Sequence, residues 1–261
     1  MTLSPIFKAI FVASFLLFTG ACATTSQNTD ETYDPWEGMN RATYSFNKTF
    51  DKAIYKPIAS AYLAVVPEVP RKGVSNAMRN LRDPWVFVND ILQLKFKRAG
   101  TTLGRFIVNS TIGIGGLFKA SDKMGIPYHS EDFGQTMATW GVGDGPYFII
   151  PFIGPSNGRD TAGFAAFIFA DPVYIGIAKA NVEGLNLTRT GVDALDARAR
   201  AHKTLNDLYD DPEGYELMRS AYRQSRYYKI HDGNPPEEDG DIFDDLEDEE
   251  DESEEGEPDE K

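Results

Sequence analysis

The sequence predicts an all-α protein built from many short helices. Three observations carry that reading. Four Asp-Pro pairs punctuate the chain, apolar residues recur every three or four positions between them, and period-two alternation is almost absent.

The pairs are Asp34-Pro35, Asp83-Pro84, Asp171-Pro172 and Asp211-Pro212. An N-cap aspartate accepts orphan backbone N–H bonds, and proline at the first helical position loses nothing by lacking its own. Asp34 and Glu37 also have capping-box spacing, and behind them Trp36, Met39, Thr43, Phe46, Phe50 and Ile54 form one stripe. Val74, Ala77, Met78 and Leu81 form a second after Pro70, and Trp85, Val88, Ile91 and Leu92 a third after Pro84. Leu103, Phe106, Ile107 and Ser110 give a fourth, which ends at Gly113, Gly115 and Gly116. Ser130 is expected to cap a helix from Glu131 to Trp140, stopped by Gly141. Residues 160–170 and 193–209 read as helical. Pro212 to Lys229 closes the series with Tyr215, Met218, Tyr222 and Tyr228. No internal repeat is found.

Composition narrows the function classes. The 261 residues are 41% apolar and 25% charged, as in a globular protein, with a formal net charge of −14. Residues 237–261 hold seventeen Asp/Glu and one Lys; the other 236 residues hold 25 Lys/Arg and 23 Asp/Glu, a balance of +2. The acidity is therefore a tail, of a composition that cannot bury a core, and its expected role is a solubilising spacer. The body has no basic stripe, which argues against nucleic acid as a partner. One cysteine excludes a disulfide framework and a cysteine zinc site. His129, His202 and His231 form no H-x-x-x-H pair and leave little for metal or acid–base chemistry, so no metal or cofactor is expected.

The N-terminus reads as an address. Lys8 precedes the apolar run Ala9 to Phe18 and then Thr19-Gly20-Ala21-Cys22, the pattern of a secretory signal too short to span a bilayer. Cys22 after Gly-Ala resembles a bacterial lipobox, with Thr19 in place of the usual Leu. Acylation there would anchor the chain, and Ala23 rather than Asp after it points to the outer membrane by resemblance to lipoprotein sorting. The expected segments are a signal peptide over 1–21, a flexible tether over 22–33, a helical domain over 34–232 and an acidic disordered tail over 233–261.

Polarity is uneven along the body. Residues 133–178 contain four charges (Asp144, Arg159, Asp160, Asp171), whereas residues 193–232 contain fifteen. The run Ala162 to Ala180 resembles a membrane span but is cut by Asp171-Pro172, so two short apolar helices are expected instead. Composition leaves open whether they form a core or meet lipid. Arg189, Arg198, Arg200, Arg219, Arg223 and Arg226 are expected to solvate an outer face. Twelve of the 23 glycines lie between residues 100 and 158, densest at Gly141-Val142-Gly143-Asp144-Gly145-Pro146, a tight or mobile loop with no phosphate-cradle motif.

One motif argues for an enzyme: Gly154-Pro155-Ser156-Asn157-Gly158 satisfies G-x-S-x-G, which would make the chain a lipid-anchored esterase using Ser156. Against it stand the missing strand–helix alternation, the rigidity of Pro155, and the placement of His202 in a charge-rich amphipathic helix and of His231 in a polar tail. The structural alternative is a turn with a helix cap.

Asp34-Pro35-Trp36-Glu37-Gly38-Met39-Asn40-Arg41 resembles the D-P-x-E-x-x-N-R opening of the MlaA (VacJ) lipoproteins. The resemblance continues through Gly73-Val74-Ser75-Asn76, Arg105 to Gly116, Glu131 to Thr136, Gly141-Val142-Gly143, Gly145-Pro146-Tyr147, Pro151-Phe152 and Arg159-Asp160. It implies a ring-shaped, membrane-embedded helical domain around an amphipathic channel, and a function in phospholipid transport that maintains outer-membrane lipid asymmetry, not catalysis. Mislocalised phospholipids would pass from the outer leaflet to the periplasmic carrier MlaC and onward to the MlaFEDB transporter, with trimeric porins as neighbours. A glycine-hinged hairpin controls passage in the family. Here it would match Gly141, Gly143, Asp144 and Gly145, then Tyr147, Phe148, Ile149, Ile150 and Phe152 beside the lipid tails, with Phe46 packed nearby. The charged helices after Asp193 would face the periplasm and dock the carrier. A structural, porin-associated lipoprotein is the remaining alternative.

Overall fold

Helix α1 (Glu37–Phe50) passes through a π-turn (Asp51–Tyr55) into α2 (Lys56–Val65) with no break in its right-handed backbone. Pro57 in the first turn of α2 can give no N–H to the preceding turn, and the helix absorbs it by widening there. The computed structural model describes residues 34–182 and 184–235, so Cys22, the signal, the tether and the tail beyond 235 lie outside it. There follow α3 (Glu68–Asn80), α4 (Asp83–Leu92), α5 (Phe96–Thr111), α6 (Ala120–Lys123) and α7 (Phe133–Thr139). A hairpin of β1 (Tyr147–Ile150) and β2 (Gly154–Asn157) leads into α8 (Gly158–Ala170), α9 (Pro172–Lys179), α10 (Leu185–Arg200), α11 (His202–Asp210) and α12 (Gly214–Ile230).

The fold class is all-α, with this hairpin the one departure among the described residues. Tyr147 pairs with Asn157 and Ile150 with Gly154 in an antiparallel register. The four apolar residues of β1 are too few for periodicity to separate strand from helix, and the turn expected over Pro155–Gly158 is instead strand β2 as far as Asn157, with Gly158 opening α8.

Packing partners close a circuit. Helix α1 continues into α2, α2 packs on α10, α10 on α3 and α9, and α9 on α4. Helix α4 then packs on α7, α7 on α8, α8 on β2, and β1 returns to α1. The elements form a ring, bridged by α11 and α12, which reach from α2 and α10 across to α7 and β2. The α7–α8 crossing depends on glycine: a Cβ on Gly163 would stand 2.5 Å from the backbone N of Gly134.

Burial is inverted. Nine apolar residues are buried among those described, against twenty-three polar or charged ones. The apolar core is a small tyrosine cluster of Tyr44, Tyr147, Ile149, Tyr209 and Tyr215 between α1, β1, α11 and α12. Meanwhile Val65, Phe169 and Leu187 are 78%, 73% and 77% exposed. Water-soluble domains hide such side chains and display charge.

Three local expectations are corrected. Asp34 does not close a capping box: its carboxylate accepts from the Trp36 N–H (3.3 Å) and Asn40 Nδ2 (2.8 Å), while Glu37 pairs with Arg41 at 2.6 Å. Asp132, not Ser130, caps α7 by accepting from the Gln135 N–H at 2.9 Å, because it sits at the extended residue next to the first helical turn. Arg189, Arg198 and Arg226 do not solvate an outer face but are buried. Arg198 donates to both Asp51 oxygens (2.6 and 2.9 Å), a fork that holds α10 against the π-turn.

Candidate functional site

The hairpin is built on two asparagines one double turn apart on α1. Asn40 donates to the Tyr147 carbonyl (3.2 Å) and accepts from the Ile149 N–H (2.9 Å). Asn47 donates to the Ile150 carbonyl (3.0 Å) and accepts from the Phe152 N–H (2.8 Å). Each side-chain amide mimics a peptide unit, so α1 satisfies the free edge of β1 as a third strand would. Asn40 is fully buried and is itself held by Asp34, which also accepts from the Tyr215 hydroxyl. The sequence signature Asp34 to Asn40 thus acts as the hairpin's clamp. The 3.6-residue apolar stripe gave no sign of it, because both asparagines fall beside that stripe.

The candidate residues divide between the two faces of β1. Tyr147 and Ile149 are buried in the tyrosine core, and burial pushes the Tyr147 hydroxyl up from its ordinary value. Phe148 and Ile150 alternate with them and are half-buried; Phe148 lies 5.8 Å from the Trp36 ring. At the hairpin tip Phe152 adopts a left-handed φ of +67°, followed by Gly154 at +117°. This aims its half-exposed ring between Phe46 (5.1 Å) and Phe50 (4.8 Å), both edge-on. Phe46 and Phe152 therefore do come together, in an aromatic cluster open on one side.

Before β1, Gly141 and Gly145 take φ of +85° and +69°, as a tight loop requires, whereas Gly143 has no such constraint. Arg159, buried at the start of α8, ties this loop down. It pairs with Asp144 at 2.5 Å and donates to the Val142 carbonyl at 3.1 Å, and its N–H reaches the Asp144 carbonyl. Asp144 itself remains largely exposed.

Helices α8 and α9 carry the apolar surface. The segment Gly158–Lys179 is long and apolar enough to cross a membrane (mean hydropathy 1.5), and only 11% of its most apolar window is buried. It is not one straight helix. At Asp171 the backbone turns extended (ψ 120°), and the wholly buried carboxylate caps α9 at the Val173 N–H (3.1 Å) and meets Arg189 of α10 at 2.8 Å. Arg189 also donates to the Leu81 carbonyl. The Asp-Pro cut expected from sequence is thus realised, with an ion pair that lets the aspartate sit under an apolar face.

Next to α8, Arg226 of α12 bonds both Asp132 and Asp160 at 2.6 Å, and Tyr222 donates to Asp160. Burial works against the charged form of Asp132, but the hydrogen bonds and charge of Arg226 prevail and hold its carboxyl below the usual range.

Ser156 has no elbow geometry. It lies on β2, and its buried hydroxyl bonds the Thr161 hydroxyl (2.9 Å) and the Asn157 carbonyl (3.3 Å), not a histidine. Asn157 caps α8 through the Asp160 N–H at 2.7 Å, so the helix cap expected there is present. No cluster of metal-ligating side chains occurs among the described residues.

The profile of a family described as MlaA lipoprotein matches residues 32–229. The chain belongs to this family. An Escherichia coli relative named intermembrane phospholipid transport system lipoprotein MlaA is 30% identical over 86% of this chain and 91% of its own. The Haemophilus influenzae protein of the same name is 28% identical over 92% of this chain and 97% of its own. An uncharacterised Rickettsia felis protein is 38% identical, but the chain spans only about half of that relative's length, 52%. A solved structure described as "Structural basis for maintenance of bacterial outer membrane lipid asymmetry" superposes with a TM-score of 0.66 at 28% identity. That match covers 76% of this chain and 99% of the other.

Proposed function

We propose that the protein is an outer-membrane lipoprotein that removes mislocalised phospholipids from the outer leaflet through an amphipathic channel in its ring. The inverted burial is the observation that carries this reading, because a ring with charged contacts inside its walls and apolar side chains outside suits a lipid solvent. The family members from Haemophilus influenzae and Escherichia coli, similar to this chain over most of their length, are named for intermembrane phospholipid transport, which supports the reading.

Anchoring is assigned to Cys22, and the bulk of the ring to the periplasmic-side leaflet, with α8 and α9 against acyl chains. Phe46, Phe148, Ile150 and Phe152 offer the greasy wall for lipid tails, with Tyr147 and Ile149 as the rigid backing of the same strand. Gly141, Gly143 and Gly145 supply the hinge, and Asp144 a polar mouth. The exposed charged faces of α11 and α12 are the docking surface for the periplasmic carrier MlaC, which hands lipid to MlaFEDB, while trimeric porins flank the apolar rim. No motif for nucleotide binding is present in the sequence, so transfer through this chain is passive and driven by its partners.

The test is outer-leaflet phospholipid in a deletion strain complemented with wild type, Cys22→Ala or Ser156→Ala. A rise on deletion, rescue by Ser156→Ala and failure of Cys22→Ala are the expected results. Loss of rescue by stably expressed Ser156→Ala would favour an esterase, and no rise on deletion would leave a porin-associated scaffold. Gly143→Pro should stiffen the loop and change lipid flux, and an unchanged outer leaflet would sink the gating role.

A further inference from the structure

Five arginines are buried among the described residues, and four of them have a carboxylate oxygen within 2.8 Å: Arg159 with Asp144, Arg189 with Asp171, Arg198 with Asp51 and Arg226 with Asp132. Arg105 is the exception. Its carboxylate contacts are longer, a hydrogen bond to Asp122 at 3.5 Å and Asp83 at 4.0 Å. A guanidinium removed from water normally demands close anionic oxygens, and those that the protein supplies here stand farther off than at the other four arginines.

Arg105 borders a small open pit between α3, α5 and the turn after α5. Arg79 and Lys119 also line it, so three cations face a single lining carboxylate, Asp122. Arg79 and Arg105 both lie over the Tyr128 ring, at 5.4 and 4.7 Å from its centroid. Arg79 has no carboxylate within ion-pair distance among the described residues, and Lys119 reaches Asp122 only at 3.5 Å. Two guanidiniums thus share one aromatic ring, and the three cations stand against Asp122 and, behind Arg105, Asp83. The wall is fixed by Gly116, whose φ is +89° and where a Cβ would meet the Asn80 side chain at 2.5 Å. The same turn displays Ile112, Ile114 and Phe118, which are 68%, 63% and 59% exposed.

We propose that this pit binds the phosphate of a phospholipid headgroup, with Arg79, Arg105 and Lys119 as its ligands and the adjoining apolar turn inserted among the acyl chains. Guanidinium forks match phosphate oxygens, and apolar side chains next to the pit distinguish a lipid phosphate from a free one. The site lies on a different part of the ring from the hairpin. The inference rests on the phospholipid-transport reading for its ligand class and adds the point of headgroup recognition.

The experiment uses purified full-length protein in a non-ionic detergent, titrated by calorimetry with three probes. These are dihexanoylphosphatidylglycerol, dihexanoylglycerol (the same tails without phosphate) and inorganic phosphate. Arg79→Gln/Lys119→Gln is the principal variant because both side chains reach solvent, and an unchanged melting curve confirms its fold. The expected result is binding of the phospholipid, about tenfold or more weakened in the variant, little binding of dihexanoylglycerol, and competition by inorganic phosphate at higher concentration. Phospholipid binding equal in wild type and variant would overturn the site while leaving the transport reading intact. Phosphate binding lost in the variant, with no phospholipid binding in wild type, would overturn the lipid source and make the pit a free-anion site. Dihexanoylglycerol binding as tightly as the phospholipid would overturn headgroup recognition.

Discussion

Helices α8–α9 and α11–α12 share one backbone geometry and bury opposite kinds of surface. In α11–α12 the aromatics Tyr209 and Tyr215 turn inward, and Lys203 and Asp207 stand in solvent as an i,i+4 pair. In α8–α9 the charges Arg159 and Asp171 turn inward, while Phe164, Ile168 and Phe169 stand outside. The first arrangement minimises free energy in water and the second in hydrocarbon, where an exposed charge costs more than a buried pair. The chain thus carries two kinds of surface, and the Asp171–Arg189 pair lies beneath the apolar one.

The strongest way to break this contrast is to remove that pair. Arg189→Ala leaves the buried Asp171 carboxylate without its cation, with an expected loss of about 3–5 kcal/mol, read as a lower melting temperature in detergent. Lys203→Ala, which breaks a fully exposed pair on α11, should leave the melt unchanged. Asn40→Ala should cost about 2–4 kcal/mol, because the Tyr147 carbonyl and the Ile149 N–H both lose their clamp. Rapid hydrogen exchange at Ile149 with slow exchange retained on α12 would confirm that the loss is local.

Asp83 gives a pH-dependent test. Burial pushes its carboxyl up to about 6, against the pull of Arg105 and His129. A folded pKa above the unfolded value means that the contribution is full at low pH and is lost as pH rises through about 6. Relative to Asp83→Asn, the wild type should therefore gain about 2 kcal/mol between pH 7 and pH 4. A constant difference between the two melting curves would contradict this. The smallest effect sharpens the contrast: Phe169→Ser should barely alter stability in detergent. It should weaken partition into phospholipid vesicles by about 1–2 kcal/mol, whereas Leu217→Ser on α12 should not.

Much of this architecture was legible in the sequence, but not its ties. The break at Asp171-Pro172 and the stripes of α3, α4 and α5 could be read because N-caps and 3.6-residue periodicity are local. Helix α2 left no readable stripe, since Ile58 and Val65 are exposed while the buried position is Ala59. A hairpin is expected from the family resemblance alone; its β pairing escaped the reading of the residues because its edge is satisfied by Asn40 and Asn47, more than a hundred residues away in sequence. The arginines of α10 and α12 looked like solvent-facing charge, since their partners Asp51, Asp132 and Asp171 lie on other elements. Low charge over residues 133–178 correctly singled out the unusual region, while the direction in which its side chains face became apparent only from burial. Of the lipid-contact candidates, Phe46 and Phe152 meet, whereas Tyr147 and Ile149 belong to the core.

The central claim, that α8–α9 face acyl chains while α11–α12 face water, is tested most directly by depth-dependent quenching. An environment-sensitive fluorophore would be placed at Phe169→Cys or Lys203→Cys in a Cys22→Ser background, and the protein reconstituted into vesicles containing lipids brominated along the acyl chain. Strong quenching at position 169 with none at 203 is the predicted result. Equal quenching at both positions, or none at 169, would contradict the account.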